Sequence, residues 1–334
     1  MRVGVVGAGV QATRRLPALR AEDQVVAVSG PAKDAVADLA GRYGAAALRD
    51  WHDLVARDDV DAVVVATPPN AHEEISVAAL RGGKHVLCEK PLASSSAAAE
   101  RMARAATDAG RVLHCGFNHR FHPAVARLRE VVWSGRFGDP LAATGVYGHG
   151  IRDGYRDEWR ADPAVVSGGQ LMEQGIHLID LMGWILGPVA EVVAQSQTCF
   201  GLPGGLEDDA HVLLRTASGR VAFVRSSLNQ WRNRFLLEVT CERATVRVDG
   251  IGGSYGDQTL TVDHRGAGPF EQHVEMYRGA DRSWAAEWRR FTELAAAVPA
   301  APPDPAGRRA LATVEAAYRS VRDRAWVAVP EEGL

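Results

Sequence analysis

Residues 1–15, MRVGVVGAGVQATRR, contain a strand, a glycine-rich turn and a helix start from which the fold class can be predicted. The β-branched run Arg2–Val6 is followed at once by Gly7-Ala8-Gly9-Val10-Gln11-Ala12, which has the spacing G-x-G-x-x-G/A. The first glycine permits a tight turn, the second lets a pyrophosphate approach the backbone, and the small last residue permits close packing of helix on strand. A turn that binds nothing is the alternative, and the position between strand and helix argues against it. We therefore predict dinucleotide contacts at Gly7, Gly9, Val10, Gln11 and Ala12.

Short apolar runs alternate with helical stretches through the first third of the chain. After residues 2–6, such runs occupy residues 25–29, 61–67, 85–88 and 112–115. Strands rich in valine on both faces and joined by helices predict a parallel sheet that is covered on both sides. Residues 1–119 are therefore predicted to form a doubly wound α/β domain of the Rossmann type, with the dinucleotide at its glycine turn.

The pattern changes after residue 119, where runs of alternating polar and apolar residues follow one another. These predicted strands occupy residues 141–147, 192–198, 210–216, 221–228, 235–241, 244–248 and 259–262. Helices are predicted over 123–134, 168–186, 283–297 and 306–324, with a proline-rich connector at 298–305. Consecutive alternating strands are typical of antiparallel sheets. Residues 120–334 are therefore predicted to form an α+β domain with a large, mostly antiparallel open sheet.

Composition excludes several classes of function. The 334 residues include 38 Lys and Arg against 41 Asp and Glu, a net charge of -3, so no basic face for nucleic acid or anionic membrane is expected. No apolar run approaches the ~20 residues that a membrane-spanning helix needs. Residues 1–10 are too short and too glycine-broken for a signal peptide. The four cysteines lack C-x-x-C spacing, so neither a disulfide scaffold nor a structural zinc is indicated. We expect a cytoplasmic protein.

The end of the second strand bears on the choice of cofactor. It reads Val28-Ser29-Gly30-Pro31, without the Asp or Glu that usually binds the ribose hydroxyls of NAD. Three basic residues could lie close to this end of the strand, namely Lys33, Arg14 and Arg15. This pattern mildly favours NADP over NAD, with Ser29 and Lys33 as contacts. The alternatives are a loop that accepts both cofactors and basic residues that are only surface charge.

Four further motifs carry a family resemblance. They are Thr67-Pro68-Pro69-Asn70-Ala71-His72, Cys88-Glu89-Lys90-Pro91, Gly116-Phe117-Asn118-His119-Arg120-Phe121 and Glu173-Gln174-Gly175-Ile176-His177-Leu178-Ile179-Asp180. Together they resemble the glucose–fructose oxidoreductase, inositol dehydrogenase and MocA family over nearly the whole chain. An E-K-P motif followed by an acid-x-x-x-His motif is quite specific to that family.

The resemblance implies an NAD(P)-dependent oxidoreductase that acts on a sugar, a nucleotide sugar or a cyclitol. By match, Lys90 lies beside the nicotinamide, and Glu173 and His177 face the substrate carbinol. The family more often has Asp at the position of Glu173, and the extra methylene changes the reach of the carboxylate. Family members commonly pair through the uncovered face of the second domain's sheet, so a homodimer or homotetramer is expected.

The residues themselves support this chemistry. Oxidation of an alcohol needs a general base that works near neutral pH, which suits His177. Glu173 and His177 stand at i and i+4, so on one helix they share a face, and the carboxylate can orient the imidazole and stabilise its cation. Lys90 can donate a hydrogen bond to the developing alkoxide. A plain surface pair is the alternative for Glu173 and His177, but their neighbours are apolar.

The remaining candidate residues fall into two groups. The resemblance implies further cofactor contacts at Thr67, Pro68, Asn70, His72, Glu89, Lys90 and Asn118. A substrate wall is predicted at Arg120, Tyr147, His149, Arg152, Tyr155, Trp159 and Arg160, where an aromatic face suits a sugar ring and arginines suit an anionic group on it. Trp159 could equally fill the domain interface, and Asn118 and Arg120 could stabilise the same interface between the two domains. Asp180 is expected to orient His177 or cap a neighbouring segment.

Three other possibilities are open at this point. One is a glycoside-cleaving enzyme that uses tightly bound NAD for transient oxidation, and another is a regulator that senses a dinucleotide without catalysis. Retention of Lys90 and His177 counts against the regulator. The third is a metal site at His119, His122 and His149, which we do not predict because no Cys or carboxylate stands at ligand spacing.

Overall fold

The computed structural model describes residues 1–266, 268, 270–297 and 303–330. The chain divides into two compact units, the first made of Met1–Asn118 with Trp284–Arg308 and the second of His119–Ser283 with the residues from 309 on. Within the described ranges, none of the helices combines the length and the apolar character needed to cross a membrane. Most of the predicted 298–305 connector, residues 298–302, lies outside the described residues.

The first unit is built on a six-stranded parallel sheet with the order β3-β2-β1-β4-β5-β6. That order is the one typical of dinucleotide-binding folds, so the predicted fold is confirmed for this unit. Its strands are β1 Arg2–Val6, β2 Gln24–Ser29, β3 Ala46–Leu48, β4 Ala62–Val65, β5 His85–Cys88 and β6 Leu113–Cys115. Its helices include α1 Val10–Arg15, α2 Lys33–Tyr43, α3 Trp51–Val55, α4 His72–Arg81 and α5 Ser96–Ala109.

The core of this unit includes a helix from far along the chain. Val3, Val5 and Val64 are fully buried, as expected for strands covered on both faces. Trp288 and Phe291, on the helix Ser283–Ala296, pack into the same core. The predicted range 120–334 was wrong for this segment: residues 284–308 belong to the first unit. Hydrophobic periodicity shows that a helix has a buried face but does not show which sheet it covers.

The second unit is built on a nine-stranded sheet with the order β14-β13-β12-β11-β7-β10-β9-β8-β15. Every pair is antiparallel except β10 with β7, which confirms the predicted mostly antiparallel sheet. The strands are β7 Pro140–Gly150, β8 Val189–Gln197, β9 Asp209–Thr216, β10 Val221–Ser227, β11 Asn229–Cys241, β12 Ala244–Asp249, β13 Gln258–His264, β14 Glu271–Tyr277 and β15 Val327–Ala328.

Helices cover one face of this sheet. The helix α6 (Pro123–Trp133) packs on β12 and β13, and α7 (Ile176–Leu186) packs on β7 and β10. Two further helices follow β14 along the chain. The helix Ser283–Ala296, described above in the core of the first unit, is α8, and α9 spans Ala306–Asp323. Along β9 and β10 the buried residues alternate with accessible ones, among them Leu213 and Val221. Association of two chains through this sheet stays a prediction.

Candidate functional site

The glycine turn of the first unit has the backbone geometry that its sequence predicts. Gly7 has a φ of +102°, and a Cβ atom there would lie 2.5 Å from the carbonyl oxygen of Ala66, so a side chain is excluded. Its N–H donates to the carbonyl oxygen of Ser29 at 2.8 Å. At Gly9, which precedes α1, no described atom lies within 4 Å of the position that a Cβ would take. The turn is therefore fixed on one side and open on the other.

Buried polar atoms near this turn fit a dinucleotide. Ser29 ends β2 and Thr67 follows β4, so both stand at the carboxyl edge of the sheet, where open α/β folds bind ligands. The hydroxyl oxygens of Ser29 and Thr67 and the amide oxygen of Gln11 are buried, and none has a hydrogen-bond partner among the residues that the structure describes. Buried polar groups are rarely left unsatisfied, so the ribose and phosphate oxygens of NAD(P) suit this edge.

The basic residues expected near the second strand do not all lie on the surface. Lys33 and Arg14 are exposed, and no carboxylate occurs in residues 29–33. Arg15, in contrast, is buried in two ion pairs, so the alternative of surface charge does not apply to it. Ala12, three residues earlier on α1, is also buried, so both lie on the inner side of this helix.

Arg15 is the centre of a buried charge cluster behind the E-K-P motif. Its Nε lies 2.5 Å from Oε1 of Glu89, and its Nη1 lies 2.7 Å from Oε2 of Glu287 on α8. The Trp284 ring covers the guanidinium, with 4.7 Å between Cζ and the ring centroid. Nε2 of His114 lies 3.6 Å from Oε1 of Glu287. Burial raises the pKa of Glu287, but Arg15 and His114 lower it by more, so the net shift is downward.

The segment that follows β5 holds Lys90 close to this cluster. The backbone N–H of Lys90 donates to Oε2 of Glu89 at 3.3 Å, and the Lys90–Pro91 peptide bond is cis. The fully buried ring of His72 contacts the carbonyl oxygens of Pro91 at 2.8 Å and Thr67 at 2.9 Å. Burial lowers the pKa of His72, and the carbonyl oxygens of Thr67 and Pro91 offset that shift only in part. His72, predicted as a cofactor contact, is thus placed to tie two loops together.

In the second unit, the helix that carries Glu173 and His177, the predicted catalytic dyad, begins irregularly. The sequence predicts one continuous helix over 168–186, but Leu171–Gly175 is a π-helical turn that runs directly into α7. Such turns are rare and frequently mark functional sites. Glu173 lies on the π turn, and its Oε1 accepts a hydrogen bond from Nε of Arg160 at 3.2 Å. His177 lies on the first turn of α7 and is buried.

Aromatic side chains surround His177. The ring of His119 stacks on it, with centroids 3.8 Å apart and an angle of 24° between the ring planes. Tyr147, a predicted substrate residue, lies edge-on to His177 at 6.2 Å and also contacts Phe235. From its sequence position, His119 was a candidate only as a metal ligand, and nothing in its spacing indicated a stack on His177.

Asp180 and Arg120 form a bidentate ion pair within the second unit. Nε and Nη2 of Arg120 lie 2.8 and 2.6 Å from the two carboxylate oxygens of Asp180. Asp180 is buried one turn beyond His177, so the pair holds α7 close to that histidine. The role of Arg120 toward a substrate stays a prediction.

The predicted substrate wall is divided between two environments. Nη2 of Arg152 contacts both oxygens of Glu158 at 2.6 Å, and Arg160 bonds Glu173 while stacking on Trp159 at 4.4 Å. Tyr155 instead packs in an apolar cluster with Ala161, Leu202, Leu206 and Leu228. Burial raises the pKa of Tyr155. His149 is half-buried at the end of β7 and contacts the carbonyl oxygen of Gly150.

Comparison with known proteins places this geometry in a family. Residues 1–117 match the profile described as "Oxidoreductase family, NAD-binding Rossmann fold", and residues 125–247 match the GFO/IDH/MocA C-terminal domain. Inositol 2-dehydrogenase 4 of Saccharopolyspora erythraea is 32% identical over 275 residues, which cover 80% of this chain and 77% of the relative. Myo-inositol 2-dehydrogenase of Thermotoga maritima is 29% identical over 347 residues, which cover 99% of each chain.

A solved structure shares the fold over the whole length. Levoglucosan dehydrogenase in complex with NADH superposes with a TM-score of 0.88 and 21% sequence identity, covering 99% of this chain and 100% of that one. The fold with its two sheets thus occurs in a solved structure. The chain belongs to the GFO/IDH/MocA family of oxidoreductases, which have an NAD-binding Rossmann fold.

Proposed function

We propose that the protein is an NAD(P)-dependent dehydrogenase that oxidises a ring carbinol of a neutral sugar or cyclitol, or reduces the corresponding ketone. The observation that carries the proposal is that the first unit contains an anchored E-K-P lysine and the second unit a buried histidine, which follows a carboxylate on a π turn by four residues. The names of the relatives, inositol 2-dehydrogenases and levoglucosan dehydrogenase, support the same substrate class.

The cofactor is proposed to bind along the carboxyl edge of the parallel sheet. When bound, the nicotinamide supplies an acceptor or donor of hydride. The open backbone of the glycine turn would hold the pyrophosphate, and Ser29 and Lys33 would meet the adenosine ribose. NADP is favoured over NAD because residues 29–33 contain no carboxylate to repel a 2′-phosphate. Further contacts are proposed at Val10, Gln11, Ala12, Thr67, Pro68, Asn70, Glu89, Lys90 and Asn118.

The chain's own groups then divide the proton chemistry. His177 takes the hydroxyl proton as general base, and the Glu173 carboxylate stabilises the imidazolium that forms. Lys90 donates a hydrogen bond to the oxygen that becomes an alkoxide and then a carbonyl, and in the reverse direction it polarises that carbonyl. His119, stacked on His177, limits the rotation of the imidazole.

The charge pattern of the substrate wall favours a neutral substrate. Arg152 is paired with Glu158, and Arg160 is paired with Glu158 and Glu173. A phosphate or carboxylate on the substrate would have to replace these pairs, whereas hydroxyl groups can bond the same carboxylates without doing so. The indole of Trp159, partly exposed, offers an apolar surface for the face of a ring. Free sugars and inositols are therefore proposed ahead of nucleotide sugars.

The experiment is to follow nicotinamide absorbance on mixing the purified protein with NADP or NAD and a panel of inositols, free sugars and nucleotide sugars. Sustained reduction with a neutral member, at a higher kcat/KM with NADP, is the expected result. If no member reacts, the same assay is run in reverse with keto-sugars and reduced cofactor. Cofactor binding without turnover in either direction would overturn the proposal in favour of transient-oxidation glycoside cleavage or a regulatory role.

A further inference from the structure

The helix that carries Glu173 and His177 begins against a buried carboxylate from another part of the second unit. Glu207 lies between β8 and β9 and is almost fully buried. Its Oε2 accepts the backbone N–H of Gly169, and its Oε1 accepts that of Leu171, both at 3.0 Å. Its own carbonyl oxygen accepts the N–H of Gln170 at 2.8 Å. One residue thus satisfies three consecutive N–H groups at the helix start.

Tyr318 on α9 completes this arrangement. Its hydroxyl donates to Oε1 of Glu207 at 2.8 Å, and it also interacts with the backbone of Met172. The chain in front of the helix fits tightly against both groups. A Cβ at Gly168 would lie 2.1 Å from the Tyr318 hydroxyl oxygen, and a Cβ at Gly169 would lie 2.0 Å from the carbonyl oxygen of Glu207.

These contacts hold the part of the helix on which the dyad depends. The first N–H groups of any helix lack partners within the helix, and a negative charge is favoured at that end. Glu173 is joined to the same turn, because its N–H donates to the carbonyl oxygen of Gly169 at 2.9 Å. His177 follows one turn later. A shift of the helix start therefore moves both members of the dyad.

We propose that Glu207, together with Tyr318, is a positioning residue for the Glu173–His177 dyad and sets its geometry through the start of the π turn. The inference rests on the proposed function, in which that dyad does the proton chemistry. Glu207 is a buried acid whose donors, among the residues that the structure describes, are backbone N–H groups and a phenol. This set of donors is what a fixed helix start requires.

The test compares Glu207→Gln with Asp208→Asn. Asp208 is the next residue and is equally buried, and its carboxylate accepts the N–H groups of Cys199 and Phe200, which lie outside the dyad helix. In Glu207→Gln, an amide NH₂ replaces one acceptor, so an N–H of the helix start loses its bond. We expect kcat to fall by about tenfold to a hundredfold because small misplacements of reacting groups are costly. KM for the cofactor and the kcat of Asp208→Asn are expected to change by less than about twofold.

A second readout does not depend on turnover. In ¹⁵N-histidine-labelled protein, the His177 ring signals, assigned by their loss in His177→Asn, are expected to move in Glu207→Gln and to stay in place in Asp208→Asn. Tyr318→Phe, which removes one bond and keeps the shape, is expected to give a smaller effect of the same kind and serves if Glu207→Gln does not fold.

The outcomes separate this inference from the proposed function. If the wild-type protein oxidises a polyol and Glu207→Gln matches Asp208→Asn in kcat, the inference is overturned and the proposed function stands. If the wild-type protein turns over nothing, the proposed function fails, and unchanged His177 signals in both Glu207→Gln and Tyr318→Phe would overturn the inference as well.

Discussion

Two buried glutamates, one in each unit, support residues of the proposed function, and they are held in opposite ways. Glu287, in the first unit, is ion-paired with Arg15, which also pairs with Glu89 next to Lys90. Glu207, in the second unit, accepts hydrogen bonds from backbone N–H groups and a phenol. The pKa of Glu287 is lowered, because Arg15 and His114 together outweigh burial, whereas burial raises the pKa of Glu207 and its neutral donors offset that only in part.

The difference shows two ways of fixing a functional group from behind. The first unit uses full charges, which tie α1, β5 and α8 together but leave unpaired charge if one member is lost. The second unit uses the N–H groups of a helix start, whose partial charges hold the Glu207 carboxylate. Because these donors carry no full charge, they compensate the burial of the ionised carboxylate only in part. We therefore expect substitutions in the first arrangement to lower the free energy of unfolding more. We also expect the contributions of the two glutamates to stability to change with pH in opposite directions.

The largest effect is expected at Lys90, the group that the charged arrangement serves. Lys90→Met is expected to lower kcat by about 10²- to 10⁴-fold, because the donor to the developing alkoxide is lost, and to retain cofactor binding, with an affinity that changes far less than kcat. Steady-state kinetics and a titration with reduced cofactor measure the two quantities. Lys84→Met is the matched control, since Lys84 lies at the other end of β5 and bonds the carbonyl oxygen of Arg57. Unchanged turnover in Lys90→Met would remove Lys90 from the mechanism.

Next in size is the stability that depends on Arg15. Arg15→Met is expected to lower the free energy of unfolding by about 3–5 kcal/mol, because Glu89 and Glu287 remain buried without their cation. Arg15→Met/Glu287→Gln should lose less, since only one unpaired charge remains. Arg101→Met, which breaks the exposed pair with Glu73, is the control and should cost about 0–1 kcal/mol. Urea unfolding measures all three, and equal losses in Arg15→Met and Arg101→Met would contradict the comparison.

The sequence predicted the parts of the site that lie within short motifs. The glycine turn, the E-K-P lysine and the two sheets follow from spacing and periodicity, which are local properties. The pairs Arg15–Glu287 and Glu207–Tyr318 join residues that are 272 and 111 positions apart, and no local pattern indicates them. Arg15 was therefore considered only as a residue near the cofactor or as surface charge, and Glu207 was not considered. Helix α8 was assigned to the wrong unit for the same reason.

The pH dependence of stability should separate the two glutamates. The folded-state pKa of Glu287 lies below its ordinary 4.5, so its stabilisation is complete above pH 4.5 and is lost as the pH falls through the folded pKa. The folded-state pKa of Glu207 lies above 4.5, so its ionised form weakens the fold near neutral pH, and the loss is relieved as the pH falls towards 4.5.

Urea unfolding over a series of pH values tests these signs. The stability difference between wild type and Glu287→Gln should decrease as the pH falls below 4.5. As the pH falls from neutral to 4.5, the stability of the wild type relative to Glu207→Gln should increase. Slopes of the same sign in both variants would show that the two sites are held alike, contrary to the contacts described above.

The smallest effect is expected where a functional glutamate is paired near the surface. The side chains of Arg160 and Glu173 are 23% and 25% exposed, so water screens their charges, unlike those of Arg15 and Glu287. Arg160→Met should therefore change the free energy of unfolding by less than about 1 kcal/mol while leaving the π turn in place. Since Met retains the packing on Trp159, a loss comparable to that of Arg15→Met would mean that burial of the guanidinium does not account for the difference between the two arginines.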